Sequence, residues 1–318
     1  MKTGGRKVDP KLPIYVGVLV LAVLMGVGVG RVLGPVSTYP GDPGQNAGDQ
    51  SAAAPPQGGG PVVAADGHIH GGTIGAGGSA GGAPALGGLE ISASGYTLAP
   101  AADEFGAAGD PQSISFQILR ADGTPATEFA VVHEKSMHFF VVRRDFGDYR
   151  HLHPEMAPDG TWSVEAALAD PGPYRMYADF TAIDAAGTQT AVTLGADLAV
   201  SGDYRPEKLP APAVESTVDG LTAAMSGTAT PGVASPVLFT VTRDGRPVGL
   251  QPYLGAFGHL VALRDGDLGF VHVHPEPQLF DGAVKFWVTA PTPGTYRLYL
   301  DFQVDGKVHT ADYVVVVE

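Results

Sequence analysis

The feature that most constrains the fold is a long internal repeat. The segment that starts at Met137, MHFFVVRRDFGDYRHLHPE, aligns without a gap with GHLVALRDGDLGFVHVHPE, which starts at Gly258, 121 positions later. Downstream, the Pro-Gly-x-Tyr segment that contains Tyr174 matches the segment that contains Tyr296. A repeat of this length is a complete domain rather than one unit of a solenoid. The sequence therefore predicts two related domains in tandem.

Both copies have an all-β pattern. Short runs rich in Val, Phe, Tyr and Leu alternate with turns rich in Gly, Asp and Pro, which is typical of strands. Seven strands in little more than a hundred residues favour an immunoglobulin-like β-sandwich, with Tyr174 and Tyr296 as its tyrosine corners. The predicted strands lie near 89–98, 113–120, 136–143, 149–154, 161–168, 173–181 and 190–200, and near 215–225, 236–242, 257–264, 269–274, 283–289, 294–302 and 308–317.

The N-terminal region predicts a membrane anchor. Residues 12–30 are uncharged and mostly apolar, and a helix of this length spans ~28 Å, close to the ~30 Å hydrocarbon core of a bilayer. Lys2, Arg6, Lys7 and Lys11 precede the run, which places the N-terminus in the cytoplasm and the domains outside. The alternative is a cleaved signal peptide, but the run is long for one and is not followed by a small-x-small cleavage site.

The predicted organisation therefore has six parts. A region rich in Gly, Ala and Pro follows the anchor and buries too little apolar surface to fold, so we expect a disordered linker there. A second, proline-containing linker separates the two copies of the repeat. The parts are a cytoplasmic tail (1–11), a transmembrane anchor (12–33), a disordered linker (34–88), a first β-sandwich (89–204), a linker (205–213) and a second β-sandwich (214–318).

Histidine gives the most specific chemical signal. The pattern His-x12-His-x-His-Pro occurs once in each copy. A turn between Asp265 and Leu268 would place the first and third histidines of copy two directly opposite each other on a hairpin. The second histidine would share their face, because side chains alternate along a strand. Each domain is thus predicted to carry a three-histidine cluster: His138, His151 and His153 in copy one, and His259, His272 and His274 in copy two.

Three imidazoles without a thiolate suit Cu(II) or Zn(II), and also Ni(II). The chain has no cysteine, which excludes thiolate sites. In an immunoglobulin-like topology the third strand begins beside the end of the sixth, so Asp179 and Asp301 are candidate additional ligands, as is His309 on the last strand of copy two. The alternative is that the histidines are packed structural residues. His133 aligns with Leu254 and is expected on the surface.

The charge balance and the absence of catalytic motifs disfavour two other classes of function. Asp and Glu total 33 against 19 Lys and Arg, and an acidic surface disfavours nucleic-acid binding. We recognise no catalytic triad, phosphate loop or carboxylate pair, so the sequence does not predict an enzyme.

The segment from Pro252 to Glu276, PYLGAFGHLVALRDGDLGFVHVHPE, resembles exported bacterial proteins with a YtkA-like or related cupredoxin or immunoglobulin-like domain. The resemblance implies heavy-metal binding, with copper as the first candidate and zinc as the alternative, through the histidines of the motif. Together with the predicted anchor, the histidine clusters favour a metal buffer or chaperone tethered to the outer face of the membrane, with a membrane or extracytoplasmic protein as its partner. Two other functions stay open: a partner-binding immunoglobulin-like module without metal, and an accessory subunit of a membrane metalloenzyme.

Overall fold

The computed structural model describes residues 86–271 and 273–318. The predicted cytoplasmic tail, the anchor, nearly all of the first linker and His272 lie outside the described residues. Within the described ranges, no helix is long and apolar enough to cross a membrane. These residues all belong to one compact unit.

The first domain is a sandwich of two sheets. One sheet has the strand order β1-β2-β4-β8-β7 and the other β3-β10-β9-β5-β6, with β3 parallel to β10 and the remaining neighbours antiparallel. The strands are β1 (Ser92–Ala93), β2 (Tyr96–Pro100), β3 (Glu104–Ala107), β4 (Pro111–Arg120), β5 (His138–Arg143), β6 (Tyr149–Leu152), β7 (Glu155–Met156), β8 (Thr161–Ala167), β9 (Gly172–Ile183) and β10 (Gln189–Ser201).

The second domain repeats this plan. One sheet has the order β11-β12-β13-β18-β17, with β14 also paired to β13, and the other has the order β16-β15-β19-β20. The strands are β11 (Glu215–Val218), β12 (Leu221–Ser226), β13 (Ser235–Arg243), β14 (Arg246–Pro247), β15 (His259–Arg264), β16 (Phe270–Val271), β17 (Val273–Pro275), β18 (Val284–Val288), β19 (Gly294–Val304) and β20 (Lys307–Val317).

The prediction of two tandem all-β sandwiches is confirmed. Both tyrosine corners are present: the hydroxyl of Tyr174 donates to the carbonyl of Asp170 at 2.7 Å, and that of Tyr296 donates to the carbonyl of Thr292 at 2.8 Å. The short edge strand β3 was not predicted, because its four residues lie among Gly, Asp and Pro and give no alternating pattern. The predicted strand near 269–274 is divided between two sheets: β16 pairs with β15, whereas β17 pairs with β18.

The two strands that begin with a motif histidine are buried on both faces. Side chains alternate across a strand, so Phe139 and Val141 of β5 enter the core of the first sandwich, while Phe140 and Val142 point away from it. Strand β15 does the same, with Leu260 and Ala262 inside its own sandwich and Val261 and Leu263 outside. Each domain therefore has a second apolar face that must be covered.

The two outer faces cover each other. Tyr149 and Tyr299 stack across the junction with ring centroids 3.9 Å apart and planes 3° from parallel. The hydroxyl of Tyr177 donates to the carbonyl of Leu268 at 2.6 Å, and that of Tyr299 donates to the carbonyl of Phe146 at 3.1 Å. We call the buried side chains of this junction the interdomain cluster: Phe140, Val142, Phe146, Tyr177, Val261, Leu263, Leu268, Phe270 and Tyr299.

Loss of one reciprocal hydrogen bond should weaken the junction. Tyr177→Phe leaves the buried carbonyl of Leu268 without its donor, so we expect the free energy of unfolding to fall by about 1–3 kcal/mol. Urea denaturation followed by tryptophan fluorescence measures the change. Tyr96→Phe is the matched control, because the Tyr96 hydroxyl makes no hydrogen bond within the described part of the chain; equal losses in the two variants would contradict the prediction.

Candidate metal centre

Strand geometry places the histidines at the junction. His138 begins β5 on the same outer face as Phe140 and Val142, because these residues are two positions apart. His151 pairs directly with Phe140, which puts it on that face too. His259 begins β15 on the corresponding outer face of the second domain. When the two apolar faces pack together, histidines from both domains are brought to one end of the junction.

Three histidines of the first domain form a close group. Each of His138, His151 and His153 offers a nitrogen, and these nitrogens all lie within 4.8 Å of one another. Ring centroids are 5.6 Å apart for His138 and His151, 5.1 Å for His138 and His153, and 4.9 Å for His151 and His153. The structure thus brings together the three histidines that the sequence motif predicted to share a face in copy one.

Hydrogen bonds fix the orientation of two of these rings. Nε2 of His138 donates to the carbonyl of Val132 at 3.1 Å, and Nδ1 of His151 donates to the carboxylate of Asp301 at 2.7 Å. The other nitrogens, Nδ1 of His138 and Nε2 of His151, face each other at 3.4 Å. A carbonyl or carboxylate on the distal nitrogen is the usual outer partner of a metal-binding imidazole.

The spacing and the unpaired nitrogens fit a metal ion. Metal–nitrogen bonds of 2.0–2.1 Å in a tetrahedron give a nitrogen–nitrogen edge of about 3.3 Å, close to the observed separation. Nε2 of His153 is buried and has no hydrogen-bond partner among the described residues. A buried polar atom without a partner is unfavourable, and coordination of an ion would satisfy it.

A fourth histidine comes from the second domain. The ring of His259 is stacked on that of His138, with centroids 5.1 Å apart and planes 18° from parallel, and its centroid lies 5.6 Å from that of His151. Nε2 of His259 is likewise buried without a partner among the described residues. The structure therefore does not keep His259 apart in a separate cluster, as the sequence predicted, but places it beside the first.

His133, which we expected on the surface, is partly exposed and lies beside the histidine group. Its ring is half-buried, 5.1 Å from that of His259 and 6.2 Å from that of His138. His133 and the aligned Leu254 both have a positive φ and form the same tight turn before β5 and β15. The turn that both copies share was the sequence signal for the position of His133. Because His133 aligns with a leucine, the repeat did not indicate that it lies near the other histidines.

A small cavity lies among these rings. Its volume is about 60 Å³, and its lining includes His133, His138, His151, His259 and the strand residue Asp179. A single water needs roughly 10–15 Å³ of such space, so the cavity has room for an ion and a few waters. Histidines of both domains therefore border one space.

The remaining predicted residues have other positions. Asp179 lies directly opposite His138, and Asp301 opposite His259, which confirms the predicted proximity, although the Asp301 carboxylate contacts His151 of the first domain. His309 is on the opposite face of its sheet, stacked on Phe302, with its Nδ1 2.8 Å from the carboxylate of Asp219.

The third histidine of copy two lies elsewhere than predicted. His274 pairs with Trp287 on β18 instead of lying opposite His259. The hairpin register itself is confirmed, since Ala262 pairs with Val271. The chain leaves this sheet for the other one after Val271, so the register does not extend as far as His274. His272 lies outside the described residues, and its role stays a prediction.

Burial keeps the imidazoles in their neutral form. Burial, and secondarily the neighbouring His151, lowers the pKa of His138 well below its usual value. Burial and then the proximity of His138 do the same to the pKa of His259. For His153, burial followed by His151 and Lys135 lowers the pKa to about 3. Neutral imidazole is the form that binds metals, so these three side chains need not lose a proton to bind at neutral pH.

These features define a protein with two immunoglobulin-like β-sandwiches that share a buried histidine centre. The chain belongs to the family DUF8832, a domain of unknown function, which matches it twice, over residues 91–197 and 216–318. The two matches coincide with the two copies of the repeat. No curated protein matches the sequence.

Solved structures of bacterial proteins show only a distant likeness. The adhesin InvE of Yersinia pseudotuberculosis is 13% identical over 71% of this chain and 60% of its own, with a TM-score of 0.21. Salmonella alpha-2-macroglobulin is 12% identical over 73% of this chain and 15% of its own, with a TM-score of 0.24. A putative membrane anchored protein of Corynebacterium diphtheriae is 10% identical over 71% of this chain and 57% of its own, with a TM-score of 0.21. The chain thus spans less than two thirds of each of these proteins.

Acid should destabilise the metal-free protein through the buried histidines. The folded-state pKa values of His138, His153 and His259 lie below the ordinary value of 6.5, so below pH 6.5 the unfolded chain binds more protons than the folded one. The free energy of unfolding should therefore fall as the pH drops from 6.5, by up to about 1.4 kcal/mol per pH unit for each of His138 and His259. Urea denaturation between pH 7.5 and pH 5 measures this slope.

The double variant His138→Gln/His259→Gln provides the comparison for this experiment. It removes two of the buried titrating groups, and its stability should depend less steeply on pH. A slope equal to that of the unaltered protein would contradict the assignment.

Proposed function

We propose that this protein binds a copper or zinc ion through His138, His151 and His153. The observation that carries the proposal is the pair of facing nitrogens, 3.4 Å apart, on two rings whose other nitrogens are held by a carbonyl and a carboxylate. Packed structural histidines would be expected to use both nitrogens in hydrogen bonds. Here the two remaining nitrogens face only each other, and His153 adds a buried nitrogen that has no partner among the described residues.

The geometry favours a tetrahedral ion. In a square-planar complex, adjacent nitrogens at ~2.0 Å from the metal are only about 2.8–2.9 Å apart, whereas a tetrahedral edge is about 3.3 Å. The observed 3.4 Å is close to the tetrahedral edge, which suits Zn(II) and also copper as Cu(I). Neutral nitrogen ligands without thiolate are compatible with both ions.

The role that best fits such a site is storage or delivery of the ion outside the cell membrane. The anchor predicted from residues 12–30 would tether the domains there, and the Gly-, Ala- and Pro-rich segment after it would let them reach a partner protein. Two of the three proposed ligands, His138 and His151, line a cavity of about 60 Å³, which suits an ion and leaves little space for an organic substrate. We therefore propose a metal buffer or chaperone.

Metal titration tests the proposed function. Metal-stripped, full-length protein is titrated with Zn(II) by calorimetry and with Cu(I) by anaerobic competition against a chromophoric chelator. The variant carries His138→Gln, His151→Gln and His153→Gln, and we expect saturable binding in the unaltered protein and its loss in the variant, because all three nitrogen donors are removed.

The control is His309→Asn, which removes a buried histidine that contacts Asp219 away from the centre. This variant should bind metal as the unaltered protein does, and circular dichroism verifies that each variant is folded. Absence of saturable binding in the folded, unaltered protein would refute the proposal. Undiminished binding in the triple variant would refute the assignment of the ligands.

A further inference from the structure

The candidate centre depends on side chains from both domains. Asp301 and His259 belong to the second domain, yet Asp301 contacts His151 and His259 stacks on His138 of the first. We infer that a single ion is held between the two domains, with His259 as its fourth imidazole ligand and Asp301 as the residue that positions His151. This inference rests on the proposed metal-binding function and adds that the ion clamps the two domains together.

Asp301 is well placed to orient His151. Its side chain is buried, with only 2% of the residue's surface exposed, and the hydroxyl of Thr310 donates to its Oδ1 at 2.5 Å. The other oxygen, Oδ2, accepts from Nδ1 of His151 at 2.7 Å. A carboxylate only accepts hydrogen bonds, so this contact holds the proton of His151 on Nδ1 and directs Nε2 toward His138. The second domain thereby sets which nitrogen of His151 can bind an ion.

His259 has the features expected of a ligand. Its Nε2 is buried without a partner among the described residues, and its ring borders the same cavity as His138 and His151. An unpaired buried nitrogen is unfavourable, and an ion in the cavity would satisfy it. The group of three in the first domain supplies three donors, so a tetrahedral ion has one position left for His259.

One shared ion fits the space better than two separate ions. The rings of His138 and His259, which are equivalent in the repeat, have centroids only 5.1 Å apart across the junction. Two cations, each bound by one domain, would lie close together in a site with low dielectric constant, where like charges repel strongly. The inference therefore gives a stoichiometry of one ion per chain, although the sequence motif occurs twice.

Coordination by both domains makes metal binding and domain docking mutually dependent. An ion whose ligands come from both domains binds tightly only when the domains are docked, so it stabilises the docked state by mass action. Hydrogen exchange at β5 and β15, which face each other through the interdomain cluster, reports that state. Binding to one domain alone would protect only the strands of that domain.

Full-length protein with Zn(II) as the probe tests the inference. The variants are His259→Gln, Asp301→Asn and Asp301→Ala, with His309→Asn as the control. We expect one Zn(II) per chain by calorimetry and elemental analysis, and an affinity at least about ten-fold lower for His259→Gln. The affinity of Asp301→Ala for Zn(II) should be lower by roughly ten- to a hundred-fold. Asp301→Asn should lose less affinity than Asp301→Ala, because its amide oxygen can still accept a hydrogen bond from Nδ1 of His151.

Hydrogen exchange gives the second readout. Zn(II) should slow amide hydrogen exchange in both β5 and β15, and His259→Gln should abolish the effect in β15.

The outcomes separate this inference from the proposed function. Absence of Zn(II) binding to the unaltered protein would overturn both. Two ions per chain, or unchanged affinity in His259→Gln together with loss of binding when His138, His151 and His153 are replaced, would overturn the shared site and leave the metal-binding function standing. Equal losses in Asp301→Asn and Asp301→Ala would overturn the positioning role of Asp301.

Discussion

The rest of the structure depends on two strands that are apolar on both faces. One face of β5 and of β15 packs inside its own sandwich, and the other carries Phe140 and Val142 or Val261 and Leu263. An exposed patch of this kind would be unfavourable in water, and docking of the two domains removes it from solvent. The hydroxyls of Tyr177 and Tyr299 then donate hydrogen bonds to backbone carbonyls of the opposite domain. Without these bonds the carbonyls would be buried at the junction without those donors.

The chemistry of the centre follows from that burial. His138 and His259 begin β5 and β15 on the same outer faces as the apolar side chains. They are therefore buried at the edge of the junction when the two domains pack together. Loss of water lowers the pKa of His138 and His259, and Nε2 of His153 and of His259 have no hydrogen-bond partner among the described residues. Packing, rather than the motif alone, prepares these side chains to bind an ion.

Local geometry was predictable from the sequence, whereas docking was not. The strand and turn patterns predicted the sandwich fold and the hairpin register, and the sandwich topology predicted that Asp179 lies near His138 and Asp301 near His259. Each of these features lies within one domain. The contact between His151 and Asp301 joins residues of different domains and depends on which outer faces meet, which a single sequence does not encode as a pattern. The same limitation explains why two separate clusters were predicted where one group spans the junction.

The reciprocal contacts of Tyr177 and Tyr299 resemble those of a symmetric dimer, in which one patch contacts its own copy. Here the two copies are consecutive in one chain, and Leu209 of the segment between them packs against the interdomain cluster. Association is therefore intramolecular, at an effective concentration that short flexible linkers set roughly in the millimolar range. A centre assembled from two separate chains would come apart on dilution. In this protein the two domains associate at any protein concentration, because they belong to one chain. Each domain can also carry side chains at the junction that the other domain lacks.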